Sequence, residues 1–371
     1  MRELTVVRTE NFHLFAHYNG LKLIDIPDDA SLSFRLPAVK LVHRDEMFQL
    51  ESMRLRNFGR VVSDLPEAIV HGHRLSTIWG NALLPTGWAH SLNWLEAGGF
   101  IPTAGGASCI WPAADIAELD GDDRTFVLGP MTHFGHFFTD CLDRILAFQQ
   151  SGLGPIARYL TDGEPPPQIH ELLDFLGIPL GPSNLIFLDP AKDYRVRNLR
   201  VAPLGALKPA ITASSFRTLR QRILTLLPAP HPAGKMLYVG RKLVDKRKVL
   251  NQEDLDRTLA TMGFTSFYPE LNSFAGTVGA FHGADVIVLI IGSSKFNLAF
   301  CRPGTKIICI APAEYVLRGG AVATMLRQLC SIFSLDLCFC SSAIAGADLA
   351  YNSDIIVSPD DLQRAFRAVS A

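Results

Sequence analysis

Between Lys235 and Pro303, short apolar runs of strand length (Met236–Val239, Phe264–Tyr268, Asp285–Ile291) alternate with segments of helical period. Asn251 can open one such helix as its N-cap. Leu255, Leu259 and Met262 follow at i, i+4 and i+7, and Gly263 supplies the stop. Strand and helix alternating in units this short imply right-handed βαβ crossovers and a parallel sheet. Ligands of such sheets bind beyond the carboxyl ends of the strands. The unusual residues stand at those ends: Gly240-Arg241, Pro269-Glu270 and Gly292-Ser293-Ser294-Lys295.

The run Asp285–Ile291 is apolar after its first residue, which marks a central strand buried on both faces. It breaks into Gly292-Ser293-Ser294-Lys295 before a second apolar segment begins at Phe296. A small, donor-rich turn that opens a helix can hold an anion through its backbone N–H groups. The same turn also occurs with no ligand, and both readings stay open. Neither G-x-G-x-x-G nor G-x-x-x-x-G-K-[ST] is present, so no dinucleotide fingerprint or Walker loop is in play. Arg241, Lys242, Lys246, Arg247 and Lys248 fall within eight residues after a strand end. They form either a solvated charge run or a diphosphate clamp, since arginine offers phosphate a planar fork of donors. With a net charge of −1 the chain is not basic overall, so the patch is local and nucleic acid is not expected as a partner.

The length of 371 residues allows two domains, each with its own core. A hydrophobic content of 48% with 19% charged residues fits a globular protein. No apolar run reaches the roughly 18–20 residues of a spanning helix. The start, MRELTVVRTENFHLF, lacks a signal-peptide core. The expectation is a cytoplasmic protein with at most peripheral membrane contact. Seven cysteines, odd in number and without zinc spacing, read as reduced core residues, with Cys338 and Cys340 on one strand face.

Residues 1–110 are expected to be β-rich, in short pieces broken by Pro, Gly, Asn and Asp. His71 and His73 form only two-thirds of a metal site, and no metal is expected. Trp79, Trp88, Trp94 and Trp111 fit a core or an acceptor groove equally.

A strand at Thr125–Leu128 then enters Gly129-Pro130. Thr132 can cap a helix with the stripe Phe138, Leu142, Ile145, Leu146 and Gln149, ended by Gly152. His136, Asp140 and Arg144 recur at i, i+4 and i+8, on one polar edge beside that stripe. One reading is an Asp140–Arg144 helix ion pair worth a few tenths of a kcal/mol. The other is a histidine base oriented by a carboxylate one turn on.

Strands at Ile156–Leu160, Leu185–Leu188 and Arg195–Val201 and a helix at Gln168–Leu176 follow. The hinge is placed at Pro203–Pro209, dividing domains at 1–208 and 209–371. A helix at Ser214–Leu227 opens the second domain, and one capped by Ser358 ends the chain.

The motifs of the second half, taken in order, resemble glycosyltransferase family 61. They are Tyr238-Val239-Gly240-Arg241, Arg247, Asn251, Gly263-Phe264, Pro269-Glu270, Ser273-Phe274, Ala284, Gly292, Asn297, Phe300 and Pro303-Gly304-Thr305. His136, Asp140, Leu142 and Arg144 match that family's H-[FW]-x-x-D/E-x-L-x-R-L pattern. Ile291 departs from it, standing where the family has His, and so do Lys295-Phe296. The family includes bacterial capsular-polysaccharide proteins and eukaryotic xylosyl- and N-acetylglucosaminyltransferases. The resemblance implies an α/β, GT-B-like fold, with two Rossmann-like domains facing a cleft and a β-rich N-terminal region. It implies an inverting, metal-independent transfer from a nucleotide-sugar donor to a glycan or glycolipid hydroxyl, without further cofactor. His136 and Asp140 would form the base system, with Arg144 in support. Arg241, Arg247, Asn251, Glu270, Gly292, Ser293, Ser294, Lys295 and Asn297 would hold the donor. Asn251 is equally a helix cap, and Glu270 equally a solvated turn residue. Two rival readings stand beside this one. A non-catalytic binder of nucleotide sugar or glycan is favoured by Ile291. A sugar-nucleotide epimerase explains the clamp but not the His136–Arg144 pattern.

Overall fold

The computed structural model describes all residues except 1, 7–11, 20, 22, 27–32, 45, 57–59, 74, 85–99, 104–107, 112–114, 120–123, 130, 179, 203–210, 228–234, 243–246, 346–352 and 371. The expected hinge at 203–209, Trp88, Trp94 and Lys246 lie outside the described residues. The fold is mixed α/β and divides into two compact units, Met1–Leu32 with Arg56–Ser215, and Ser33–Leu55 with Phe216–Ala371.

The first unit is built on one large mixed sheet. In its N-terminal part Arg60–His71 pairs antiparallel with Ser76–Trp79 and that strand antiparallel with Ala82–Leu84, which Arg2–Val6 joins in parallel. Asp193–Val201 lies antiparallel to Arg60–His71 over eight paired positions and parallel to Thr125–Gly129 on its other side. Arg158–Thr161 and Leu185–Phe187 continue the parallel set. The β-rich N-terminal region is therefore continuous with the α/β strands of the same sheet.

The central strand Thr125–Gly129 is buried at every position, as its apolar run TFVLG requires. Val127 joins a core with Leu65, Val70, Leu160, Val196 and Leu199, while its neighbour Phe126 meets Phe148 of the covering helix, ring centroids 5.3 Å apart. His71 is paired with a buried carboxylate. Its Nδ1 bonds Asp193 Oδ1 at 2.5 Å, and Trp111 Nε1 donates to Asp193 Oδ2 at 3.0 Å. Both oxygens of the buried carboxylate are thus hydrogen-bonded, and the bonds tie three strands together.

The second unit carries the parallel sheet that the alternation of Lys235–Pro303 implies. Its order is Thr265–Phe267, Lys235–Val239, Ala284–Ile290, Lys306–Pro312 and Asp336–Ile344, all parallel. Numbered along the chain, that order is 2-1-3-4-5, one of the two common doubly wound arrangements. Ala284–Ile290 is a central strand, as expected. Val286, Val288 and Ile290 pack with Cys338, Cys340, Leu255, Leu259, Leu362 and Ala365 on one face, and Ile287 and Leu289 are buried on the other. All seven cysteines are free and buried. Ser358 caps the last helix, Pro359–Ser370, its Oγ accepting the Asp361 N–H at 3.2 Å.

Val39–His43 extends this sheet, parallel to Asp336–Ile344, and Glu46–Leu50 follows antiparallel. Arg327 fastens this segment by donating to the carbonyls of Pro37 (2.8 Å) and Glu51 (2.6 Å). Among the described residues, no helix is long and apolar enough to cross a membrane.

Candidate functional site

In the first unit the candidate residues follow the carboxyl end of Thr125–Gly129. The chain leaves that strand for Arg158–Thr161 on one side, while Asp193–Val201 lies on the other, so the strand stands where the order reverses. Such a switch point is where α/β sheets place ligands. The helix that follows is not regular. Phe134–His136 is one α-turn, Phe137–Cys141 is a π-turn, and Leu142–Gln150 resumes as α-helix. Single π-turns are rare and cluster at functional sites. The cap is His133, not Thr132: its Nδ1 accepts the Gly135 N–H at 3.1 Å. Thr132 instead turns its hydroxyl toward Asp162, which also accepts the Met131 N–H at 2.9 Å.

Within this helix His136 Nδ1 and Asp140 Oδ2 are 2.8 Å apart, and Thr139 Oγ1 donates to the same oxygen at 2.8 Å. The His136 side chain is 25% exposed and that of Asp140 is 0% exposed. With Nδ1–H donating to the carboxylate, the basic lone pair of the neutral ring is on Nε2. Arg144, on the polar edge beside the apolar stripe, is itself buried, and so is Asp143, which accepts from Thr212 Oγ1 (3.0 Å) and Ser215 Oγ (2.6 Å). Burial pushes the Arg144 guanidinium below its ordinary value, opposed by neighbouring Cys141 and by the carboxylates of Asp140 and Asp143. Arg144 is therefore an internal counter-charge.

Gly129 makes room for this arrangement. Its φ is +112°, and a Cβ there would stand 2.9 Å from Cys141 Sγ and 3.3 Å from Arg144 Nη1. Gly129→Ala is expected to cost about 2–3 kcal/mol through overpacking and backbone strain. Denaturant unfolding checks this, and an unchanged midpoint would show that the helix has room to retreat.

In the second unit the chain runs from Lys235–Val239 outward to Thr265–Phe267 and returns across it to Ala284–Ile290. The switch point falls between the first and third of these strands. Gly240 stands at one end, where a Cβ would lie 2.6 Å from Tyr268 Cε1. Arg241 follows, half-buried, and its charge reaches the Tyr238 hydroxyl. Burial raises that hydroxyl to about 12, a rise opposed by the Gln252 hydrogen bond and by Arg241. Arg247 has φ +60°, an uncommon conformation for a non-glycine residue. Its Nη1 donates to the Ile291 carbonyl at 2.7 Å, which carries the guanidinium to the end of Ala284–Ile290 beside Gly292. Glu270 Oε1 accepts the Lys242 N–H at 2.6 Å, and Lys242 Nζ lies 4.5 Å over the Tyr268 ring. Arg241, Arg247, Glu270 and Gly292 are thus gathered at neighbouring strand ends.

The other expected donor residues are placed differently. Ser293 and Ser294 are half-buried and open the segment Ser293–Phe300, which is a 3-10 helix and not an α-helix. Lys295 is 3% exposed, its Nζ 3.4 Å from the Gly292 carbonyl and 3.8 Å over the Phe296 ring, and Asn297 is buried too. Asn251 holds the N-cap position but makes no side-chain cap bond. Its amide instead donates to the Val357 carbonyl (2.7 Å) and accepts from the Val357 N–H (3.0 Å), tying the helix to a strand. Asn251→Ala is expected to cost about 1–3 kcal/mol by stranding those partners, with ligand affinity unchanged. Thermal unfolding measured with and without nucleoside diphosphate separates the two effects.

Sequence reasoning passed over His133 and Asp162. The available signals were the H-x-x-H of His133–His136 and the Thr161-Asp162-Gly163 turn after a strand. Among the described residues, no group of three or more His, Cys, Asp or Glu is placed to hold a metal ion. The family model described as Glycosyltransferase 61 matches residues 134–308, just under half of the chain. That span contains both candidate sets and supports the resemblance to this transferase family. No curated protein matches the chain.

Proposed function

We propose that this chain is a glycosyltransferase of family 61 acting by inversion. A nucleotide sugar would be the donor, and a hydroxyl of a glycan or glycolipid the acceptor. The observation that carries the reading is the His136 Nδ1–Asp140 Oδ2 contact at 2.8 Å, with a buried carboxylate and a partly exposed ring, inside the span matched by the family. In the reaction the acceptor hydroxyl gives its proton to His136 Nε2 as its oxygen attacks the anomeric carbon from the face opposite the leaving group. Asp140, buried, orients the ring and stabilises the imidazolium. Arg241 and Arg247, with backbone N–H groups of Gly292–Ser294, neutralise the departing diphosphate. No metal enters this scheme. The reading assigns a GT-B division of labour, with acceptor chemistry in the unit that holds His136 and donor binding in the unit that holds Arg241 and Arg247. A cytoplasmic role in capsular or exopolysaccharide synthesis, with at most peripheral membrane contact, is the setting that goes with this reading.

A second reading, a binder without turnover, is favoured by Ile291, whose side chain is buried and whose carbonyl is what meets Arg247. A thermal-shift panel of nucleotide sugars tests what the two readings share. A rise in melting temperature with at least one nucleotide sugar is expected, and no shift with any contradicts both.

A further inference from the structure

His133 stands beside His136, with ring centroids 5.0 Å apart and ring planes at 63°. Because its Nδ1 accepts the Gly135 N–H, that nitrogen must be bare, and the neutral ring then carries its proton on Nε2. His136 is held the opposite way, with the proton on Nδ1 facing Asp140 and the lone pair on Nε2. Two neighbouring imidazoles are thus fixed as one donor and one acceptor. Their spacing is set from both sides. Asp162 straps Met131 and Thr132 to the next strand end, and Asp140 anchors His136 from the π-turn. His133 is exposed, so its ring can meet a ligand.

We propose that His133 is a second substrate-binding residue and that the histidine pair recognises an acceptor with two adjacent hydroxyls. This inference rests on the transferase reading above. The attacking hydroxyl transfers its proton to His136 Nε2, and its oxygen forms the bond to the anomeric carbon. The bond from that carbon to the diphosphate oxygen breaks, its electron pair leaving with the diphosphate. The neighbouring hydroxyl oxygen accepts a hydrogen bond from His133 Nε2–H, which neither gains nor loses its proton. A hydroxyl without such a neighbour makes only the His136 contact.

The first test needs no activity. In the full-length protein labelled with 15N-histidine, two-bond 1H–15N correlations at about pH 8 report each neutral tautomer. Signals are assigned by their loss in His133→Asn and His136→Gln. The expected result is a proton on Nε2 of His133 and on Nδ1 of His136; the same tautomer in both rings overturns the pairing.

The second test offers methyl glycopyranosides as acceptors, with monodeoxy analogues lacking one of two adjacent hydroxyls. The donor is a nucleotide sugar found by thermal shift. His133→Asn keeps a side-chain oxygen for the cap and removes the imidazole. Wild type should prefer the diol by about ten- to a hundredfold in kcat/KM, and His133→Asn should lose most of that preference. Equal discrimination by both proteins overturns the acceptor role. A wild type that transfers to none of them and does not hydrolyse the donor overturns the transferase reading and the acceptor role together, while the tautomer result stands apart from it.

Discussion

Asp140→Asn should lower turnover by about 10²–10⁴-fold while leaving folding and donor affinity near wild type. The substitution is nearly isosteric, and the carboxylate it replaces is wholly buried between His136 Nδ1 and Thr139 Oγ1. Such a group cannot itself take a proton from a substrate, so its loss acts through the ring. An amide can present either its oxygen or its NH2 to Nδ1. In the second case the ring holds its proton on Nε2, where the acceptor's proton must arrive. In either case the imidazolium loses its counter-charge. Since the two residues act as one unit, His136→Ala combined with Asp140→Asn should be little worse than His136→Ala alone. Steady-state kinetics of the three variants, with melting temperatures alongside, decides the matter. Wild-type kinetics in Asp140→Asn would remove the carboxylate from the mechanism and leave it a structural partner.

Arg247 carries the second large effect. Removing a donor aimed at a developing charge costs on the order of 2–4 kcal/mol, or about 10²–10³-fold in rate. The backbone offers a way to separate binding from folding. At φ +60° arginine is strained, and glycine is not. Arg247→Gly should relieve that strain and partly offset the lost bond to Ile291, whereas Arg247→Ala keeps the strain and loses the bond. Both should lose nucleoside diphosphate affinity alike. Arg241→Ala, which leaves the Ile291 contact in place, should weaken binding by a comparable factor. Wild-type binding should also fall with rising salt more steeply than that of any of these variants. Calorimetric titration at two ionic strengths measures both quantities. Unchanged affinity in Arg241→Ala and Arg247→Gly would return the cluster to ordinary surface charge.

Much of the second unit was legible because its determinants are local. Apolar runs of strand length, the stripe Leu255–Leu259 and the Ser358-Pro359 start each encode one element, and a parallel sheet is the way such elements pack. Nothing local encodes the recruitment of Val39–His43, which pairs with Cys338–Cys340 across nearly three hundred residues of chain. Its sequence reads as an ordinary strand in either unit. The joining of the N-terminal meander to the parallel strands through Asp193–Val201 is equally a matter of tertiary pairing. At the site, spacing showed that His136 and Asp140 share a helix face, and their contact follows from it. The π-turn, the 3-10 segment after Gly292 and the capping role of His133 were not legible, since each depends on backbone bonds that tertiary packing decides. Asn251 shows the converse. Its type and position suggest a cap, yet in the fold its side chain bonds the backbone of Val357 instead.

The most direct measurement is nucleoside diphosphate release from nucleotide sugars found by thermal shift, followed in wild type, Asp140→Asn and Arg241→Ala. The expected result is acceptor-stimulated release by wild type, near-complete loss in Asp140→Asn with donor affinity kept, and loss in Arg241→Ala with affinity reduced. A wild-type protein that binds a nucleotide sugar and releases no diphosphate with any acceptor would contradict the account and leave a binding protein in its place.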